Sequence, residues 1–198
     1  MSATTIRRTL ADQRGQSIVE FAIVMPLFLI IVLGIVEVGF ALMDQHVTTR
    51  LTREGSNLIS RDTPMTEAAA AVRSMASRPV NFNDGSSKLI FSVLKRGETT
   101  GTTNYNQIFL YQRYVYGSYP GTSKLSTRGT GAFTGPNYEA ANSDSNSSLQ
   151  LTGGPPNLIG VPGGLIFVTE IFTRHQLITP LDRLGITVPQ TLYSIAYF

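Results

Sequence analysis

The chain has no cysteine and no tryptophan, and only two of its 198 residues are histidine. Without cysteine there is no disulfide scaffold, no thiolate metal site and no cysteine nucleophile. His46 and His175 alone are too little for a histidine-based metal centre or proton relay. Charge is scarce too: 15% of residues are charged, against about 25% in soluble domains. The 16 basic side chains exceed the 13 acidic ones by only three, too few for the continuous basic patch that nucleic acid requires. There is no Gly-x-Ser-x-Gly elbow and no Walker loop, and Gly153-Gly154 and Gly163-Gly164 lie near prolines and read as turns. These absences argue against an enzyme and leave no basis for a metal or a cofactor.

What is present begins near the N-terminus. Residues 17–43 read SIVEFAIVMPLFLIIVLGIVEVGFALM, with Glu20 and Glu37 as the only charges. About 20 helical residues cross the ~30 Å hydrocarbon core, so this run is long enough to span a membrane. Residues 21–36 are apolar on every face, unlike the striped helix of a soluble core. The run exceeds the ~7–15-residue core of a secretory signal, and no small-x-small cleavage site follows it. Arg7, Arg8 and Arg14 precede it, while Arg50, Arg53 and Arg61 follow it, so the positive-inside count is nearly balanced. The short basic head and the long remainder favour a cytoplasmic N-terminus. Pro26 removes one backbone donor and predicts a kink. Gly34 and Gly39 offer close helix approach, but not at the GxxxG spacing.

The junction between head and span reads Arg14-Gly15-Gln16-Ser17-Ile18-Val19-Glu20-Phe21. A glycine, four residues, a glutamate, an aromatic and then apolar sequence resembles the prepilin-peptidase signal of type IV pilins and pseudopilins. The stretch Gly15 to Pro26, then Leu33-Gly34-Ile35-Val36-Glu37-Val38-Gly39-Phe40 and Thr52-Arg53-Glu54-Gly55-Ser56, resembles TadE-like proteins. Those are minor pseudopilins of the tight-adherence (Tad/Flp) pilus. The resemblance covers roughly residues 13–60; the C-terminal part is similar only in length and in a strand-rich ending.

The resemblance implies cleavage after Gly15 on the cytoplasmic side, with Gln16 as the new N-terminus and the apolar helix kept. Gly15 would enter the protease extended or left-handed, as a residue without a side chain does most readily. An acid at the end of a membrane helix is costly unless paired, and cleavage would create an α-amino partner for Glu20 on its own or a neighbouring subunit. Glu20 and Phe21 would then set register as apolar helices bundle. The alternative for Glu20 is a carboxylate that reaches the headgroups and favours the helix N-terminus. Glu37 has two readings: a contact with a partner helix or the assembly platform, or the outer edge of the span, where water reaches it and Asp44.

The remainder predicts an α+β domain. Val47, Leu51, Leu58 and Ile59 form a stripe through residue 60, weakened by Gly55. Thr63 as N-cap and Pro64 at the first position start a helix that ends near Ser77, before Arg78-Pro79, and that packs on a sheet through Met65, Ala69, Val72 and Met75. Residues 88–95, 107–116, 165–174 and 191–198 are rich in strand formers. Residues 117–164 hold 10 of the 18 glycines and half the prolines, which predicts a long loop with little regular structure: a surface excursion, a partner-binding loop or a locally disordered stretch. Tyr105, Tyr111, Tyr114, Tyr116 and Tyr119 read as strand aromatics on alternating faces rather than as a stacking surface for single strands.

The expected organisation is a leader over 1–15, a transmembrane helix over 16–43 and an extracytoplasmic domain over 44–198. The expected function is structural: a minor pseudopilin of the bacterial inner membrane that takes part in initiating or capping a Tad pilus. Its partners would be other pilins and pseudopilins, prepilin peptidase, the inner-membrane assembly platform and membrane lipid, with no nucleic acid. The alternative is an unprocessed single-pass protein whose exported domain binds a ligand. Arg7, Arg8 and Arg14 against Asp12 give residues 1–15 a net +2 of the whole chain's +3, so cleavage would remove most of the basicity.

Overall fold

A computed structural model describes the backbone of residues 3–153 and 160–198, and side chains from Gly15 onward. The side chains of Arg7, Arg8 and Arg14, and the loop residues 154–159, lie outside the described residues. The chain divides into two compact units, Met1–Leu42 with Leu177–Pro189 and Met43–Gln176 with Gln190–Phe198.

Helix α1 runs over Ala3–Ser60 and continues through Pro26. In the first unit most of its apolar residues are exposed, from Ile18 (71%) and Phe21 (64%) to Leu27 (61%) and Ile35 (68%), while Ile30, Leu33 and Ala41, on the face of Glu37, are half-buried. A helix whose apolar surface is left so largely exposed is a candidate membrane span.

The second unit is an α+β fold. Helix α2 covers Met65–Met75, one residue later than Pro64 suggests; no side chain caps its N-terminus, so Thr63 is not the cap, and Met75, in the last position of the helix, is exposed instead of packed. Strands β1 (Ser87–Arg96), β2 (Ile108–Tyr116), β3 (Phe133–Thr134), β4 (Glu139–Ala140), β5 (Leu165–Arg174) and β6 (Thr191–Tyr197) form one sheet in the order β3-β4-β2-β1-β5-β6. Every pairing is antiparallel. A bulge between Val93 and Leu94 shifts the β1–β2 register. The four long strands match the four strand-forming runs; β3 and β4 are two-residue additions from the glycine-rich stretch.

One sheet face carries Leu89, Phe91, Val93 and Ile171 against Leu51 and Ile59 of α1 and Met65, Ala68, Ala69 and Val72 of α2. The approach of α1 depends on small residues. Thr48, Thr52 and Ser56, four apart on one helix face, are fully buried, and the Ser56 hydroxyl donates to the Ala196 carbonyl at 3.0 Å. At Gly55 a Cβ would stand 2.9 Å from Thr169 Cγ2 and 3.0 Å from Phe91 Cε1. Glycine here is therefore the point where helix meets sheet, which offsets its weak helix propensity.

The other face is covered by the glycine-rich stretch. Leu125 and Leu151 pack there with Leu94, Leu110, Ile166 and Val168; Phe109, which alternates with Leu110 along β2, forms a separate cluster with Ala140 and Leu149. Beneath this cover lies a polar cluster. The buried Glu170 carboxylate accepts from the Ser123 hydroxyl, from Lys124 N at 2.7 Å and from the Tyr193 hydroxyl at 2.8 Å. Arg113 donates to the Ser92 and Ser123 hydroxyls and to the Leu125 carbonyl, each at 3.2 Å. Burial lowers the Arg113 pKa, and the charge of Glu170 opposes that shift. Much of the described part of 117–164 is thus the second layer of the domain rather than a surface excursion. The described residues show one apolar helix followed by a helix on an antiparallel sheet, an α+β arrangement.

Candidate assembly site

The junction residues stand on the exposed N-terminal part of α1. Gly15 is helical, and a Cβ there would meet nothing within 4 Å. A protease that reads this residue extended must first unwind the helix, which glycine makes easier by roughly 1 kcal/mol relative to alanine. Gln16 Nε2 donates to Glu20 Oε1 at 3.0 Å across one helical turn, and both residues are exposed. Phe21 follows, also exposed. The helix therefore presents Gln16, Glu20 and Phe21 outward, with the carboxylate a single turn from the position where cleavage would leave an α-amino group.

Further along, Pro26 leaves the Ala22 carbonyl without its i→i+4 amide, and the helix accommodates it. Added Cβ atoms at Gly34 and Gly39 would meet nothing within 4 Å, so no described part of the chain packs closely on either glycine.

Glu37 differs from its sequence reading as a water-reached edge residue: it is 1% exposed. Its carboxylate faces the β5–β6 connection of the same unit. Oε2 accepts from Thr179 N at 2.8 Å and from the Thr179 hydroxyl, and Ile178 N lies 3.2 and 3.3 Å from the two oxygens. Thr179 is the N-cap of a short 3-10 turn, Pro180–Leu184, whose first residue is proline. Glu37 thus takes donors at the start of that turn, and these charge-assisted bonds offset the cost of burying the acid. The sequence carried a partial signal in Thr179-Pro180, a cap followed by proline, but nothing local linked it to a residue 142 positions earlier.

Asp44, the next acid, belongs to the second unit. Its Oδ2 lies 2.6 Å from Nδ1 of the fully buried His175, at the end of β5. This pair ties α1 to the sheet and was missed by reading both residues singly. Among the described residues no group of three His, Asp or Glu is placed to hold a metal ion.

The tyrosines are largely taken up by packing. Tyr114 lies 6.5 Å from Phe91 and 4.7 Å from Tyr138, and Arg73 sits 4.3 Å over the Tyr116 ring. Tyr111 donates to Glu139, and burial together with that carboxylate raises its pKa to about 12. Tyr119 shares a hydrogen bond with Thr191.

No curated protein and no solved structure matches the chain. A family model does. It takes in the glycine–glutamate–phenylalanine opening, the apolar helix and the Thr52–Ser56 segment where α1 meets the sheet. Residues 15–57 match the family model described as TadE-like protein.

Proposed function

We propose that the protein is a Tad pilus component that is processed after Gly15 and joins its partners through the exposed N-terminal face of α1. The TadE-like match supports a structural, pilus-associated role, and the apolar helix supports a membrane anchor. The finer reading is that of a minor pseudopilin. Prepilin peptidase removes residues 1–15, and Gln16 becomes the N-terminus. Glu20, at position five of the mature chain, accepts the α-amino group of its own or a neighbouring subunit, while Phe21 packs beside it. The helix stays in the inner membrane with the leader side cytoplasmic and the α+β domain extracytoplasmic. From there it meets other pseudopilins and the assembly platform. Pro26, Gly34 and Gly39 lie on the surface such helices would share.

The observation that carries this reading is the coincidence of the family match, which begins at Gly15, with an exposed Gln16–Glu20–Phe21 turn on an otherwise apolar helix. Intact-mass measurement and N-terminal sequencing of the protein from its native membrane test it. The expected chain begins at Gln16, and the full-length form accumulates when prepilin peptidase is deleted. A chain that keeps Arg14 and Gly15 in cells with active peptidase overturns the pilin reading and leaves an anchored, unprocessed protein.

A further inference from the structure

The β5–β6 connection, residues 177–189, is grouped with the apolar part of α1 rather than with the sheet that it joins. Its attachment is Glu37, through Ile178 and Thr179. Glu37 lies seven residues before Asp44, the next charged residue of the helix, or about 10 Å along the axis. Between them Val38, Phe40, Leu42 and Met43 are exposed, so the apolar helix surface continues past Glu37. A segment bonded to Glu37 is therefore held alongside helix surface that is itself still apolar.

The segment's own surface fits that position. Ile178 (58%), Leu184 (54%) and Ile186 (37%) are exposed, whereas Thr179 and Leu181 are buried. Asp182 and Arg183 occupy the same 3-10 turn, and both are exposed. Apolar side chains around a short turn, with a cation among them, suit the boundary between acyl chains and phosphates. In water the same three residues would form an unpartnered apolar tip.

We infer that the 177–189 connection is a membrane-interface element, seated in the outer acyl and headgroup layer through Ile178, Leu184 and Ile186 and held there by Glu37. The occupant of this surface is the lipid bilayer, by continuity with the spanning helix to which the segment is bonded. The inference rests on the membrane-spanning reading of α1. It gives Glu37 a role within its own chain: the carboxylate satisfies two backbone amides and a hydroxyl that would otherwise be desolvated at membrane depth.

The absence of cysteine makes the test direct, because each introduced cysteine is unique. Ile178→Cys, Leu184→Cys, Ile186→Cys and Leu29→Cys are made in the full chain and labelled with an NBD fluorophore. The proteins are reconstituted in vesicles of phosphatidylethanolamine and phosphatidylglycerol at three to one. Brominated phosphatidylcholine is included, carrying bromine either on the upper acyl chain or near the chain end. The expected result is about twofold quenching of the three loop probes by upper-chain bromine, little quenching by aqueous iodide, and the reverse depth preference at Leu29. In a Glu37→Leu background the loop quenching falls by at least about half while the Leu29 signal is kept.

Loop probes quenched by iodide and not by bromine overturn the inference with the span intact. So does a blue-shifted loop probe that neither agent quenches, as burial against a second copy or another helix would give. A Leu29 probe unquenched by chain-end bromine overturns the spanning helix first, and the loop inference with it. Unchanged loop quenching in Glu37→Leu removes Glu37 as the holding residue.

Discussion

Of the two acids in the apolar stretch of α1, Glu20 keeps an exposed carboxylate bonded to Gln16 one turn away, whereas Glu37 is 1% exposed and takes three donors from Ile178 and Thr179. The sequence presents the two alike, as single charges in a hydrophobic helix. Their surroundings give them different work. A carboxylate that already accepts from two amides and a hydroxyl has little left to offer a neighbouring subunit. One bonded, among the described residues, to a glutamine on its own helix face can change partner at small cost, since such a pair contributes about 0.2–0.5 kcal/mol. Registry between subunits therefore suits Glu20, and holding the chain's own connection suits Glu37.

The strongest way to calibrate that contrast is a third acid. Glu170 is fully buried and bonded by Ser123, Lys124 and Tyr193, with Arg113 nearby. Glu170→Ala leaves these donors without their acceptor and a buried guanidinium without the opposing charge nearby, at an expected cost of about 3–5 kcal/mol. Chemical unfolding of the detergent-solubilised chain, followed by circular dichroism, measures it. A loss below about 1 kcal/mol would mean that burial in this fold does not commit a carboxylate, and the contrast between Glu20 and Glu37 would lose its basis.

Glu37→Leu is expected to cost less, because the donors left over belong to one short segment. Two amides and a hydroxyl lose their acceptor, which local opening relieves at about 2–3 kcal/mol. Hydrogen exchange of the Ile178 and Thr179 amides should accelerate by about 30- to 150-fold, while amides of β1 exchange as before. Equal acceleration across β1 would show that Glu37 supports the whole chain and not this segment alone.

Within the sheet unit, Tyr111 offers a smaller comparison that pH can reach. Burial, then its hydrogen bond to Glu139, raises the phenol pKa to about 12 from the ordinary value of 10. A raised folded-state pKa means that the unfolded chain loses this proton first. The stabilisation is complete below pH about 10 and declines as pH rises toward about 12. Melting temperatures between pH 9 and pH 11.5 should fall less steeply in Tyr111→Phe than in the parent chain. Parallel curves would show that Tyr111 is hydrated in solution.

How much of this was legible depended on whether the deciding partner was near in sequence. The four long strands were readable because their β-branched and aromatic runs are local, and α2 because alanines and Arg78-Pro79 mark it. The second layer was not readable, because glycine and proline hide the few residues that form it, the buried Leu125 and Leu149 and the half-buried Leu151. One trace of it was visible in β1. Leu89-Ile90-Phe91-Ser92-Val93-Leu94 is apolar on both faces, which a sheet covered on one side would not need. Gly55 looked like a defect in a helix until Thr169 and Phe91 were placed against it. The turn at Gln16–Phe21 could be found from sequence because the spacing of glycine, glutamate and aromatic is local and apolar sequence follows it. Glu37 and His175 were the least legible, because their partners lie 142 and 131 residues away.

Glu20 carries the smallest expected effect on the fold and is therefore the sharpest test of its side of the contrast. Glu20→Ala removes one exposed hydrogen bond to Gln16, so unfolding free energy should change by no more than about 0.5 kcal/mol. Membrane insertion should be unaffected, because the substitution makes the helix more apolar. Crosslinking to co-expressed pseudopilins should nevertheless fall severalfold, and Glu20→Gln should restore little of it, since an amide accepts a hydrogen bond but supplies no charge to an α-amino group. That split separates registry from mere reach to the headgroups, in which the amide would serve nearly as well as the acid. If Glu20→Gln crosslinks like the parent chain, the charge at this position is not what aligns the helices, and Phe21 with the apolar surface must align them instead.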